Sequence, residues 1–394
     1  MEGDHISINS ALLPLSWLYG VGVRFRNFLF DVGILKSRAF SVPVIAVGNL
    51  TVGGTGKTPH VEYLVRLLQD KAKVAILSRG YKRKTKGYLL AGAHTTAQDI
   101  GDEPFQMKQK FPKASVAVCK KRVEGIERLT RDDHELAAIV LDDAFQHRYV
   151  KPGVNILLVD YHRLVIYDRL LPAGRLREPL SGKNRADIVI VTKCPAELRP
   201  MDYRVITKAM DLYPYQQLFF TTFTYDALRP VFPAQGARSG GMTLGQLGAG
   251  RPVLLLTGIA SPRQMLADVE RITGTKPATL TFSDHHNFKK KDVALINDTF
   301  ASMPQQAVII TTEKDAVRLQ QAEGLSDQVR GALYALPVRV AFMLEQEEQF
   351  NEKIIGYVRK NSKNSILAQR KDDHKSKDGH RPGDRPRTIS FRNN

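Results

Sequence analysis

The sequence predicts an α/β protein built on a doubly wound, mostly parallel sheet, and three observations carry that prediction. Short apolar, β-branched runs recur at 42–47, 73–78, 115–118, 137–141, 154–160 and 187–192. Each has the length and unbroken hydrophobicity of a strand covered on both faces. Between them lie helical patterns, such as Val61, Leu64, Val65 and Leu68 at i, i+3, i+4 and i+7, and such alternation argues crossover connections. Finally, the first run empties into a glycine-rich turn at its C-terminal end, the edge where open α/β sheets bind ligands.

That turn reads Gly48-Asn49-Leu50-Thr51-Val52-Gly53-Gly54-Thr55-Gly56-Lys57-Thr58-Pro59. It fits the phosphate-loop pattern G-x-x-x-x-G-K-[ST] except that Thr51 stands where the first glycine belongs. Residues Thr51, Val52, Gly53, Gly54, Thr55, Gly56, Lys57 and Thr58 are the expected nucleotide-phosphate loop, to which the resemblance given below assigns ATP. Its backbone N–H groups and the following helix N-terminus converge on phosphate oxygens. Lys57 reaches the β- and γ-phosphates, and the Thr58 hydroxyl ligates Mg²⁺. The predicted sheet is therefore P-loop NTPase-like.

The rest of the chain follows in order. At 394 residues there is length for two domains, and 43% hydrophobic with 25% charged residues is a globular balance. From Ala11 to Leu35 the chain carries its only Trp, with Trp17, Val21, Phe25 and Phe28 on one side of a predicted helix beside Arg24 and Arg26. Two readings stand for residues 1–35: a helix packed on the core, or an interfacial helix with aromatics at a membrane surface. No uninterrupted apolar stretch spans a bilayer, and no secretory cleavage pattern is present. Residues 36–215 are the expected P-loop domain. The aromatic and Thr-rich stretch around 219–225 and the polar loop at 234–241 mark a change of texture. A smaller α/β lid domain is expected over 216–358, part of it returning to the first domain. The net charge is +18, and the tail at 359–394 alone carries +7 without apolar periodicity; such a tail reads as disordered. Its one aromatic, Phe391, argues against a nucleic-acid partner. Cys119 and Cys194 are too few for a disulfide framework or a Cys-rich zinc site, which fits a reducing compartment.

Several groups are equipped for chemistry. Asp142 and Asp143 close a strand expected beside the P-loop strand, where a carboxylate holds Mg²⁺ directly or through water; capping the next helix is the alternative. Gln146 is placed to reach the same metal shell. Asp102 and Glu103 open a helix, so they are either caps or a general base for an acceptor hydroxyl. In Ser283-Asp284-His285-His286 the adjacent histidines lack a third ligand at metal spacing, and an Asp–His pair assisting a base is the better reading. Arg79, Arg175 and Arg177 sit in loops suited to clamp phosphate. Lys314-Asp315 is a candidate for recognising the nucleotide base.

The runs GNLTVGGTGKTP (48–59), SRGY (78–81), GDEP (101–104), LDDAFQHR (141–148), LLPAGRLREP (170–179), DHH (284–286) and TEKDAV (312–317) together resemble the tetraacyldisaccharide 4'-kinase family, the lipid A 4'-kinases. The likeness runs from about residue 10 to about 345 and shares the threonine-for-glycine loop. It implies ATP- and Mg²⁺-dependent phosphorylation of the 4'-hydroxyl of a tetraacyldisaccharide 1-phosphate in lipid A biosynthesis. The implied setting is peripheral, on the cytoplasmic face of a Gram-negative inner membrane, with the N-terminal helix at the surface. We expect a monomer. By position, Asp102 matches the catalytic base, His285 its helper, and Asp142, Asp143 and Gln146 the metal region. Arg177 and Glu178 match active-site residues of the LREP loop, and with Asn49, Arg79 and Glu103 they are the expected substrate-binding residues. The rival reading is a membrane- or DNA-associated P-loop ATPase of the partitioning class. Those usually carry a lysine early in the loop, where this chain has Thr51-Val52.

Overall fold

The computed structural model describes residues 8–233, 242–247, 250–259, 262–284 and 286–361; the expected polar loop at 234–241, His285 and the tail from 362 onward lie outside them. After α1 (Leu13–Asp31) come β1 (Val44–Asn49), α2 (Lys57–Leu68), β2 (Val74–Ser78) and the short β3 (Leu89–Leu90). Next are α3 (Ala97–Ile100), α4 (Asp102–Lys110), β4 (Ser115–Val118), α5 (Arg122–Asp132) and β5 (Ala138–Leu141). β6 (Val154–Asp160), β7 (Ile188–Thr192), α6 (Pro200–Met210) and β8 (Gln217–Tyr225) follow.

These strands, with one from the far end of the chain, make a nine-stranded sheet in the order β14-β8-β7-β6-β1-β5-β2-β4-β3, where β14 is Val338–Phe342. Pairings are parallel except β14 with β8 and β3 with β4, at the two edges. The central strand β1 sets Ile45 opposite Val140 on β5 and Val154 on β6. Every residue of β1, β2 and β7 is buried, because helices cover both faces. That is the physical reason these strands read as unbroken apolar runs.

The second sheet is smaller. Its strands are β9 (Arg229–Pro230), β10 (Val253–Thr257), β11 (Ala278–Thr281), β12 (Val308–Thr312) and β13 (Leu333–Leu336), ordered β11-β10-β12-β13-β9. Helices α7 (Arg263–Thr273), α8 (Lys290–Ala301), α9 (Glu313–Leu319) and α10 (Asp327–Ala332) complete it. Two cores of its own, around Leu254 and Val269, make it a separate packing unit.

The expected boundary at 215/216 needs correction. β8 extends the first sheet, parallel to β7, and β14 pairs with it antiparallel. Only Pro337 separates β13 from β14, and the Asp226 N–H donates to its carbonyl at 3.1 Å. The two domains are thus joined by a double-stranded connector. The helix at 347–361 also returns, seating Phe350, Ile354 and Val358 in the first domain's core. Fully burying such side chains contributes about 1.5–3 kcal/mol each, enough to fix where the end of the chain belongs.

α1 docks through small residues. Ser16 accepts from the Ala173 N–H and donates to the Leu170 carbonyl, and a Cβ on Gly20 would stand 2.7 Å from Leu170. Trp17, Leu18, Phe25 and Phe28 face outward, each more than half exposed. Among the described residues no helix is long and apolar enough to cross a membrane.

Candidate active site

The phosphate loop leaves the C-terminal end of β1. Its first residue explains the missing glycine: Thr51 is extended and forms an antiparallel bridge with Leu176. Flanking it, the Val52 N–H donates to the Arg175 carbonyl and the Arg177 N–H to the Leu50 carbonyl. An extended, paired position suits a β-branched residue and has no need of glycine. Glycine is required later, where Gly53 and Gly56 take φ of 114° and 80°. A Cβ on Gly56 would also meet the Phe223 ring at 2.9 Å. Gly56 caps α2 without a side-chain acceptor, so the first N–H groups of the helix stay available to an anion.

Two buried side chains hold the loop from behind. His60 bonds the Gly56 carbonyl through Nδ1 at 2.8 Å and Thr221 Oγ1 through Nε2 at 3.1 Å. Burial lowers its pKa to about 4, so it is neutral. Lys193, at the end of β7, pairs with Asp160 at 2.7 Å and donates to the Gly54 carbonyl. Sequence reasoning missed both; the signal for Lys193 was a lysine at the end of an apolar strand.

The loop opens into a cavity of about 970 Å³ reached by both domains and by α1. Asp142 and Asp143 follow β5, which lies directly beside β1 as expected. Asp142 Oδ2 accepts the Ser78 hydroxyl at 3.0 Å, while its Oδ1 is buried without a hydrogen-bond partner. Burial and then the neighbouring Glu103 and Asp143 charges push its pKa up to about 6. Asp143 sits at φ 47°, a strained position for a non-glycine residue. Burial raises its pKa, but Lys57 at 3.5 Å and Arg177 at 3.2 Å outweigh that, and the net shift is downward. One carboxylate holds the cations; the other keeps an open oxygen.

That open oxygen fits a hard divalent cation. Thr58 lines the same cavity as both aspartates, and Mg²⁺ takes one or two protein carboxylates, with water and phosphate oxygens for the rest. Gln146 lines that cavity too, with its side chain engaged by its neighbours. Its amide nitrogen donates to the Asn49 carbonyl at 2.7 Å and Glu178 Oε1 at 3.0 Å, and Arg177 reaches its oxygen at 3.4 Å. It braces the loop after β1 against the Arg177 segment.

The remaining expected residues divide. Arg79, Arg177, Glu178, Asp102 and Glu103 line the cavity. Glu178 is buried and paired with Arg185 at 2.8 Å. Asn49 lies fully buried beneath the loop, its Nδ2 reaching Thr51 Oγ1 at 3.4 Å. Arg175 is exposed and contributes its backbone to the bridge with Val52. Asp315 does not face a nucleotide base: it is fully buried, accepting from the Gly258 N–H and from Arg318. His286 is committed to Asp292 at 2.9 Å and stacks on Phe282. His285 lies outside the described residues.

Three ion pairs cross between α4 and α9, none of them foreseen. Asp102 meets Arg318 at 2.8 Å and Glu103 meets Lys314 at 3.1 Å. Lys110 lies between Glu313 and the buried Glu62 of α2. At the opposite side, Tyr19 and Arg26 of α1 line the cavity, the Tyr19 hydroxyl donating to the Arg177 carbonyl at 2.6 Å.

A phosphate loop on the central strand, a strand-end aspartate pair beside it and a second domain over the cleft define a P-loop nucleotide-binding protein of the phosphoryl-transfer type. The sequence matches the tetraacyldisaccharide-1-P 4'-kinase (LpxK) family over residues 8–359, and the chain belongs to that family. A tetraacyldisaccharide 4'-kinase of Phocaeicola vulgatus is 56% identical over 368 residues, 93% of this chain and 99% of the relative. The Bacteroides fragilis enzyme of that name is 53% identical, over 95% of this chain and 100% of the relative. The "apo" form of LpxK from Aquifex aeolicus, crystallised in complex with ATP, superposes with a TM-score of 0.66 at 32% identity, covering 89% of this chain and 98% of that one. These likenesses displace the partitioning-ATPase reading.

Proposed function

We propose that this protein transfers the γ-phosphoryl group of ATP to the 4'-hydroxyl of a tetraacyldisaccharide 1-phosphate, a step of lipid A biosynthesis, with Mg²⁺. The observation that carries the reading is the single cavity that joins the phosphate loop to Asp102 and then to α1, whose other face is apolar and exposed. ATP phosphates lie on the Gly53–Thr58 N–H groups and Lys57. Thr58 and Asp142 would hold Mg²⁺, which would supply charge neutralisation on the phosphates when bound. Asp143 keeps Lys57 and Arg177 aimed into the cavity.

Phosphoryl transfer asks for alignment and charge neutralisation more than for covalent chemistry. Asp102 orients the acceptor hydroxyl and takes its proton, with His285 as its helper by family position. Arg79 and Arg177 answer the substrate's own phosphate, and Glu103 and Glu178 order the acceptor side. Asn49 supports the loop from below. The exposed aromatics of α1 enter the interface of the inner membrane's cytoplasmic leaflet, so the lipid reaches the cavity edgewise.

The test is direct. The protein, ATP, Mg²⁺ and tetraacyldisaccharide 1-phosphate should yield the 4'-phosphorylated lipid, seen by mass spectrometry. ATP consumption without a phosphorylated lipid would sink the reading.

A further inference from the structure

We propose that Arg318, carried by the second domain, is a positioning residue for the Asp102 carboxylate, so that the acceptor-facing acid is set only when the two domains are in register. The inference rests on the reading of Asp102 as the group that receives the acceptor proton.

Asp102 needs an external partner. It stands in the first turn of α4 behind Gly101, which has φ 91° and offers no side-chain cap. Arg318 provides the partner at 2.8 Å, from Nε to Oδ2. The guanidinium is itself fixed. Its Nη1 donates to Asp315 Oδ1 at 3.0 Å, and the other Asp315 oxygen accepts from the Gly258 N–H at 2.8 Å and the Thr312 hydroxyl at 2.7 Å. Asp315 is fully buried and Arg318 is 7% exposed. One buried carboxylate therefore ties together the end of β10, the cap of α9 and the arginine. A planar guanidinium pinned along one edge presents its other donors in fixed directions, which a lysine cannot do.

The neighbouring pairs close the same interface without touching Asp102. Lys314 binds Glu103, and Lys110 bridges Glu313 and Glu62. They bring the domains together; Arg318 alone among the described cations bonds the Asp102 carboxylate. Misplacing a reacting group by about 1 Å costs on the order of 10²-fold in rate, so an arm of this kind acts on turnover rather than on nucleotide binding.

The experiment compares full-length Arg318→Met, Arg318→Lys, Asp102→Asn and the Arg318→Met/Asp102→Asn double variant, with ATP, Mg²⁺ and tetraacyldisaccharide 1-phosphate. Arg318→Met should lower kcat about 10- to 100-fold while KM for ATP moves less than about threefold. Arg318→Lys should recover only part of the loss. The double variant should be no slower than Asp102→Asn, because Arg318 acts through that carboxylate. Wild-type kcat in Arg318→Met, or losses that multiply in the double variant, would overturn the assignment. Should Arg318→Met fail to fold, Arg318→Lys carries the test, and wild-type kcat there overturns it equally. Wild-type turnover in Asp102→Asn would instead remove the base reading itself, a separate result.

Discussion

Lys57 Nζ lies 3.5 Å from Asp143 Oδ1, while the adjacent Asp142 keeps a buried oxygen that no hydrogen bond satisfies. Two neighbouring carboxylates are thus in different service, one clamping cations and one held open. Substituting each by asparagine should separate the two. If Asp142 faces Mg²⁺ as proposed, Asp142→Asn removes a charge from the metal, so the Mg²⁺ concentration for half-maximal rate should rise at least about tenfold, with kcat down on the order of 10²-fold. Asp143→Asn releases Lys57 and Arg177, so KM for ATP and for the lipid should rise with little change in Mg²⁺ dependence. Magnesium titrations of the two variants that superimpose would refute the division.

His60 gives the loop a pH dependence of defined sign. Burial lowers its folded pKa to about 4 from an ordinary 6.5, so the unfolded chain takes up the proton first. Its contribution to stability is complete above pH 6.5 and is lost as pH falls towards 4, on the order of 3 kcal/mol in all. A carbonyl can only accept, so Nδ1 carries the proton toward Gly56 and Nε2 accepts from Thr221. Urea unfolding at pH 7.5, 5.5 and 4.5 should show wild type losing more stability than His60→Gln. Parallel losses in the two proteins would place the acid sensitivity elsewhere.

The phosphate loop and the inner strands were legible because local chemistry determines them. Each strand is an apolar run buried on both faces, and Gly53 and Gly56 occupy backbone conformations other residues resist. The connector was not legible in the same way. β8 reads as aromatic and Thr-rich, a change of texture that suggests a new sheet, whereas its neighbours are β7 of the first sheet and β14, more than a hundred residues downstream. The spacing of Gln146 to Asp142 shows that both can reach the cavity, but nothing in it shows that the Gln146 amide nitrogen donates to the Asn49 carbonyl and to Glu178. Arg318 carried only the mark of an i, i+3 partner to Asp315; its bond to Asp102 spans 216 positions of sequence. Contacts made only in three dimensions leave no periodicity to read.

The connector predicts what can be cut. The strands leaving the first domain after Tyr225 and returning at Val338 are adjacent, as the Asp226 to Pro337 bond shows. Replacing residues 229–336 with a short Gly/Ser linker should leave a soluble first domain that melts cooperatively, with ATP affinity down at least about tenfold. Phe350→Ala in the intact chain should destabilise that domain by about 3–5 kcal/mol, since the ring is buried in its core. A non-cooperative melt of the excised protein would mean that the first sheet depends on the second.

α1 separates membrane contact from folding. Its docking runs through Ser16, Gly20 and Phe30, whereas Trp17, Leu18, Phe25 and Phe28 make the exposed face. Charged substitutions on that face therefore cost little stability in solution. If the aromatics enter a bilayer interface, each removes on the order of 1.5–3 kcal/mol of binding when lost. Trp17→Glu combined with Phe25→Glu should reduce binding to anionic vesicles at least about 100-fold, with the melting temperature within about 2 °C of wild type. Arg24→Glu should weaken binding mainly at low salt, because its term is electrostatic and screened. Turnover on lipid presented in vesicles should fall with the aromatic pair, while turnover on detergent-dispersed lipid should not, since neither residue lines the cavity. Unchanged vesicle binding in the double variant would move the membrane contact to another surface.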